Sequence, residues 1–297
     1  MLEYNGTIYR PPMEANTFLI PVTEGCTHNS CRFCNMYKDV PFRMLPLAYV
    51  EEFLQETGKH YGAYLKHLER VYLVGADPFV LTADKLEAVI EVVRKYCPQV
   101  KIITMYAAVR NIAIKSDEDL VRLRKLGVND LYVGIETGST ESLTYLNKGN
   151  TAEEAMEQCL RLNKAGIRHR DMLMPGAAGR GKLLAEAEAT ARLENAVKPD
   201  MVILTTMSIF PGTEMEKAVK EGSFEVEPES EVLTAEKRFI ELLDIPETYL
   251  WAAHSLDSTR IAGLLGDHKD EMLATLQHSI DTIDDEVFSK TFRRDHL

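Results

Sequence analysis

The chain has 297 residues, 45% hydrophobic and 27% charged, the balance of a globular protein large enough for one big α/β domain or two ordinary ones. Its formal charge of −12, from 34 Lys and Arg against 46 Asp and Glu, disfavours a nucleic-acid partner, which needs a basic surface to neutralise phosphates. The best apolar stretch, "MVIL" at 201–204, falls far short of the ~20 residues that span a bilayer, and the N-terminus lacks a secretory pattern; a cytoplasmic protein without a membrane partner is expected.

In chain order, short β-branched or aromatic runs alternate with longer amphipathic stretches. Strands are expected at 16–22, 70–75, 100–106, 129–135, 167–174 and 200–207. Between them Leu86, Val89, Ile90 and Val93 make one helical apolar stripe, and Leu120, Leu123 and Leu126 make another. The second opens on the capping-type "SDED" at 116–119 and stops at Gly127. A helix over 151–165 opens at Thr151, with Glu154 three residues on, and closes at Gly166. Six strand–helix units imply parallel strands joined by right-handed crossovers. Spread over roughly 200 residues, they favour a partial (β/α)6 TIM-type barrel over a full eightfold barrel or an open doubly wound sheet. After Pro211 the strand signal fades, so residues 1–215 read as the core and 216–297 as an acidic, helical C-terminal extension ending in a mobile tail.

In either architecture ligands bind at the carboxyl ends of the strands. Those ends lead into the cysteine stretch, "GADPF" (75–79), "AAVRN" (107–111), "ETGST" (136–140), "PGAAGRGK" (175–182) and "SIFPGTEM" (208–215), which concentrate the glycines, prolines and cysteines. Gly75 and Gly138 also suit ordinary turns, and Cys97 and Cys159 suit small core positions.

Three of the five cysteines, Cys26, Cys31 and Cys34, fall within nine positions. An odd number of thiols in a reducing compartment points to metal binding or catalysis rather than disulfides. Zinc would recruit His28 as a fourth ligand, all from one cramped loop. A plant-type [2Fe–2S] cluster has the four-then-two spacing but needs a further cysteine, and Cys97 and Cys159 lie where helices are expected. A [4Fe–4S] cluster on three thiolates leaves one iron open for a small molecule, as catalytic metal sites do.

Placed after the first strand of a β/α barrel, this third arrangement resembles the radical S-adenosylmethionine (SAM) superfamily, whose usual spacing is three then two. Phe33 matches the aromatic that its members set against the SAM adenine. Gly75, Ala76 and Asp77 look like the second-strand glycine motif that receives the SAM ammonium on backbone carbonyls. "GIETGS" followed by "LNKG" is similar to the fourth-strand segment of the oxygen-independent coproporphyrinogen oxidase-like and Elongator-like branch. There Glu136 would meet the ribose or methionyl end, and Lys148 the SAM carboxylate. Asp171 stands where that branch bonds the ribose hydroxyls, and "IFPGTEM" resembles the sixth-strand "PGT" element.

The resemblance implies an oxygen-sensitive enzyme that reductively cleaves SAM to a 5′-deoxyadenosyl radical, which takes hydrogen from an unidentified small-molecule substrate. Reduced flavodoxin or ferredoxin is the implied electron donor. No appended domain for RNA or acetyl transfer is visible, which counts against tRNA modification. Arg110, Arg168, Arg170, Arg180 and Lys182, on or beyond the later strands, are candidate holders of a substrate carboxylate or phosphate. Two alternatives stay open: a fold relative that binds a tetrapyrrole or cluster for delivery, using histidines such as His254, His268 and His278, and a zinc or [2Fe–2S] protein.

Overall fold

A computed structural model describes residues 4–292 and 294; residues 295–297, the end of the expected tail, lie outside the described residues. The expected strands become β1 (Phe18–Pro21), β2 (Arg70–Val74), β3 (Ile102–Ala108), β4 (Leu131–Glu136), β5 (His169–Leu173) and β6 (Met201–Leu204). The principal helices are α1 (Leu47–Leu65), α2 (Ala83–Tyr96), α3 (Asp117–Lys125), α4 (Ala152–Ala165), α5 (Leu183–Val197), α6 (Glu229–Leu242) and α7 (Leu265–Thr282).

The chain forms two compact units. The first comprises residues up to Asn29, Met36–Gly134 and Gln158–His169. In it β1 runs parallel to β2, with Phe18 opposite Val71. β2 runs parallel to β3, with Arg70 opposite Ile102, and β3 parallel to β4, with Tyr106 opposite Tyr132. Helix α2 starts where Thr82 Oγ1 accepts from Lys85 N at 3.4 Å, satisfying one of the orphan first-turn donors. Its stripe of Leu86, Val89, Ile90 and Val93 is buried, each side chain stabilising by roughly 1.5–3 kcal/mol. α1 and α3 pack on either side of it.

The second unit comprises Ser30–Asn35, Ile135–Glu157 and Arg170 onward. Here Met174 N donates to Glu136 O at 2.7 Å, continuing β4 into β5; in the first unit Leu131 N donates to Arg168 O at 3.0 Å. Arg170 of β5 pairs in parallel with Met201 of β6. Helix α5 packs on α6, and α6 on α7.

The extension also adds strands where only helices are expected. β7 (Tyr249–Ala252) pairs in parallel with β6, and β8 (Ile261–Leu264) pairs antiparallel with β7. Their residues, YLWA and IAGL, are apolar or small throughout, so the alternate burial of Leu250, Ala252 and Ile261 leaves no polar–apolar alternation to read in the sequence. Within each unit the strands thus pair in chain order, β1 to β4 in the first and β5 to β8 in the second. Among the described residues no helix is long and apolar enough to cross a membrane.

Candidate active site

The cysteine stretch runs from the first unit into the second, and each half is held by its own partners. In the first, Cys26 is partly exposed and its Sγ accepts from Asn29 N at 3.4 Å. The next residue, Thr27, donates its hydroxyl closely to Asp77 Oδ2 and its backbone N–H to Oδ1 at 3.4 Å. Arg110 Nη2 lies 3.3 Å from the same hydroxyl and 3.5 Å from Asp77 Oδ2. Asp77 is only 2% exposed; burial pushes its carboxyl up, against the pull of Thr27 and Arg110. Its side chain therefore fastens the cysteine loop to the turn after β2 instead of facing a ligand. Gly75 opens that turn at φ +151°, and a Cβ there would stand 1.9 Å from Thr23 Oγ1.

In the second unit, Arg32 N donates to Leu146 O at 2.9 Å, and Met215 N donates to Arg32 O at 3.0 Å. The Arg32 guanidinium lies 4.3 Å over the Tyr145 ring and 3.3 Å from Glu214. Asn147 Nδ2 donates to Ser30 O at 2.8 Å, and Asn35 Nδ2 to Pro211 O at 3.2 Å. The segment with Cys31 and Cys34 is thus pinned by the chain beyond β4 and by the "PGT" element beyond β6. Glu136 ends β4 in the left-handed region at φ +70°, a conformation that costs on the order of 1–2 kcal/mol in a non-glycine residue. Its Oε1 meets Lys148 Nζ at 2.5 Å, and that ammonium is 6.0 Å from the centre of the Phe33 ring. Phe33, Glu136 and Lys148, far apart in sequence, are brought together. Gly138 has ordinary φ, but a Cβ there would come within 2.6 Å of the α5 backbone at Ala189 and Thr190, which is why glycine is needed.

Asp171 is placed among buried acids. It is fully buried on β5 and interacts with Glu194 of α5, itself fully buried. Burial and the neighbouring Asp171 push Glu194 far above the ordinary carboxylate range. The opposite face of β5 carries the partly exposed Arg170 and Met172.

The five cations expected to hold a substrate anion are each answered by the protein's own acids. Arg110 has Asp77, Arg168 has Asp130 at 2.7 Å, Arg170 has Asp200 at 3.8 Å, Arg180 has Glu225 at 3.2 Å and Lys182 has Glu141 at 2.6 Å. Arg168 and Arg170 also stand at the amino end of β5, away from the ligand-binding ends of parallel strands. Beyond the carboxyl ends of β4 and β5, a groove of about 610 Å³ is lined by Thr140, Ser142, Tyr145, Ala178 and Phe224. Cys97 and Cys159 are fully buried, and burial pushes the Cys97 thiol up to about 11, away from the thiolate a metal needs.

Sequence reasoning missed the acids of α5. Leu183, Glu186, Ala187, Thr190, Ala191, Glu194 and Val197 all face inward, and that stripe in "LLAEAEATARLENAV" was the available signal. Burial pushes Glu186 up to about 7, while Ala178 N still donates to its Oε2 at 3.1 Å. A carboxyl raised from 4.5 favours the protonated folded state, so its stabilisation is complete below pH 4.5 and lost as pH rises through 7. The loss is on the order of 3 kcal/mol. Glu186→Gln, which keeps the acceptor oxygen, is expected to flatten this part of the decline, so that melting temperatures at pH 5 and pH 8 lie closer together than in the parent. An undiminished gap would show that another group sets the slope.

A model of the radical SAM superfamily matches residues 20–193. The chain belongs to the radical SAM superfamily. Membership supports SAM-based radical chemistry in general. Among sequence relatives, the tRNA uridine(34) acetyltransferase of Methanocaldococcus jannaschii is 26% identical over 118 residues, 39% of this chain and 22% of that protein. The heme chaperone HemW of Lactococcus lactis is 24% identical over 142 residues, 48% of this chain and 36% of that protein. The chain thus matches well under two thirds of either relative's length. The crystal structure of methylornithine synthase (PylB) superposes with a TM-score of 0.56 at 18% identity, covering 89% of this chain and 68% of that one. Elp3 of Methanocaldococcus infernus gives 0.53 at 14% identity, covering 93% and 64%. These likenesses show a common fold, the partial β/α barrel.

Proposed function

We propose that the chain holds a [4Fe–4S] cluster on Cys26, Cys31 and Cys34 and uses it to cleave SAM for hydrogen abstraction from a small molecule. The observation that carries this reading is the meeting of Phe33, Glu136 and Lys148, with Phe33 between Cys31 and Cys34 in the chain. The loop fits the cluster: its three thiols are soft donors, partly exposed and in no disulfide, and Cys26 Sγ already accepts a backbone N–H. When cluster and SAM are bound, the chemistry supplied there is one-electron cleavage of the C5′–S bond, followed by hydrogen abstraction from substrate by the 5′-deoxyadenosyl radical.

The chain's own residues orient the cofactor and exclude water. Phe33 offers its ring to the adenine. Lys148 offers a charge to the SAM carboxylate, and Glu136 holds that ammonium in place. Gly75 and Ala76 offer backbone carbonyls to the SAM ammonium, and Asp77 bolts the loop that carries Cys26. Residues 1–215 carry every group assigned here, with 216–297 as an extension. Reduced flavodoxin or ferredoxin supplies the electron. The groove beyond β4 and β5 falls in the size range of small-molecule sites.

Anaerobic reconstitution tests the reading. About four irons and four sulfides per chain, with 5′-deoxyadenosine formed from SAM under dithionite, are expected. Bound zinc, or two irons without SAM cleavage, would overturn it. Within the same reading, Lys148→Ala is expected to weaken SAM binding about ten- to a hundredfold, the worth of a hydrogen bond to a charged group. Equilibrium dialysis measures this directly, and an unchanged affinity removes Lys148 from the site.

A further inference from the structure

The first unit buries a lysine that none of this chemistry uses. Lys115 is only 3% exposed. Its ammonium donates closely to Phe79 O and at 3.2 Å to Asn111 O, and it lies 4.1 Å from the centre of the Phe79 ring. Among the described residues no carboxylate forms an ion pair with it. Asp119 is within electrostatic reach, but its Oδ1 is taken by Arg122 at 3.1 Å. Burial pulls the amine down to about 8, against the pull of Asp119, so folding holds this charge at a cost. Methionine, of similar length, would fill much the same space without that cost. Packing alone does not account for a lysine here. The two carbonyls it grips belong to different segments, at the carboxyl ends of β2 and β3. Phe79 sits in the turn Pro78–Val80, directly after Gly75, Ala76 and Asp77, and Asn111 sits in the short helix Val109–Ala113, beside Arg110. Each segment is closed on itself: Val80 N donates to Asp77 O at 3.0 Å, and Ala108 N donates to Asn111 Oδ1 at 2.8 Å. The contact of Arg110 with Asp77 also joins them, but it is long at 3.5 Å. Lys115 itself is anchored from α4, where Arg161 Nη2 donates to Lys115 O at 2.5 Å.

We propose that Lys115 is a positioning residue for the cofactor: through the Phe79 carbonyl it fixes the turn that presents Gly75 and Ala76 and carries the Asp77 tether of the cysteine loop. The inference rests on the radical reading above, in which those backbone carbonyls receive the SAM ammonium. An ammonium has three donors and no acceptor, so it can hold two carbonyls at once, and each charge-assisted bond is roughly twice as strong as a neutral one. The Phe79 ring adds a cation–π contact from the same segment. Held in this way, the turn after β2 keeps its shape in the unliganded chain, and SAM meets carbonyls that are already in place instead of having to order them. Lys115 touches neither cluster nor SAM in this account. It acts through Phe79 and, by way of Asp77, through Thr27.

Hydrogen exchange in the full-length, iron-free chain tests the tie without SAM. In Lys115→Met the amides of residues 76–81 and of Thr27 are expected to exchange at least tenfold faster, while those of α2 keep their protection. The urea midpoint should hold or rise, because a costly buried charge has gone. Lys115→Gln, which keeps a donor on a shorter side chain, should retain part of the protection and serves if the first variant does not fold. Exchange over 76–81 unchanged in both variants would overturn the tie. So would faster exchange spread evenly over the first unit with a lowered midpoint, the mark of a lysine that only supports the fold. Equilibrium dialysis of the reconstituted protein then reads the cofactor: SAM affinity is expected to fall about tenfold in Lys115→Met. Undiminished affinity beside a loosened turn would remove Lys115 as a positioning residue. A parent chain that binds no SAM would sink the radical reading instead, and the exchange pattern would still report whether Lys115 ties the two segments.

Discussion

Changing any one of Cys26, Cys31 or Cys34 to alanine is expected to take iron from about four per chain to near zero and to end 5′-deoxyadenosine formation. The three side chains are partly exposed, so the folded protein should lose no more than about 0.5 kcal/mol of stability. Cys97→Ala and Cys159→Ala should behave in the opposite way. Both side chains are fully buried, so each change leaves a small cavity costing about 1 kcal/mol while iron stays at its full complement. Iron analysis and urea denaturation on the same five variants read both effects. Full iron in the Cys31→Ala variant would dismiss the three-thiolate site. Loss of iron with Cys97→Ala or Cys159→Ala would instead point to a four-cysteine cluster of the ferredoxin kind.

The second large effect is expected at Gly75→Ala. The new Cβ would lie 1.9 Å from Thr23 Oγ1 and 3.0 Å from Thr23 O, in a backbone conformation at φ +151° that side chains avoid. Thr23 is fully buried and cannot swing out, so the turn must move. Overpacking and backbone strain together should cost about 2–5 kcal/mol. The turn carries Asp77, whose bonds to Thr27 tether the cysteine loop, so iron retention should fall with stability. Thr23→Ala removes the nearest atom but neither the backbone contact nor the strained φ. The double variant should therefore recover only part of the loss, an interaction that a double-mutant cycle in urea quantifies. A denaturation midpoint untouched by Gly75→Ala would show that the turn tolerates a side chain.

Local pattern alone determined much of this protein. Apolar periodicity located six strands and the buried stripe of α2. The caps were readable because their partners are three residues apart. Ser116 Oγ accepts from Asp119 N at 3.1 Å, and Thr151 and Glu154 exchange bonds at 2.8 and 3.1 Å. The cysteine spacing and the ordered turn motifs carried the superfamily, because such loops are written in consecutive residues. The tertiary structure decided whatever depends on a distant partner. "HRDML" has both faces of a parallel strand covered, so no periodicity tells that Asp171 turns toward Glu194 while Arg170 turns the other way. The cations of the later segments look available in sequence, and only folding supplies Asp130, Asp200, Glu225 and Glu141 to meet them. The reverse holds for Lys115. In sequence it is one more charge ahead of a capped helix, and only folding buries its ammonium against the carbonyl of Phe79, 36 residues away, because the loops after β2 and β3 meet there.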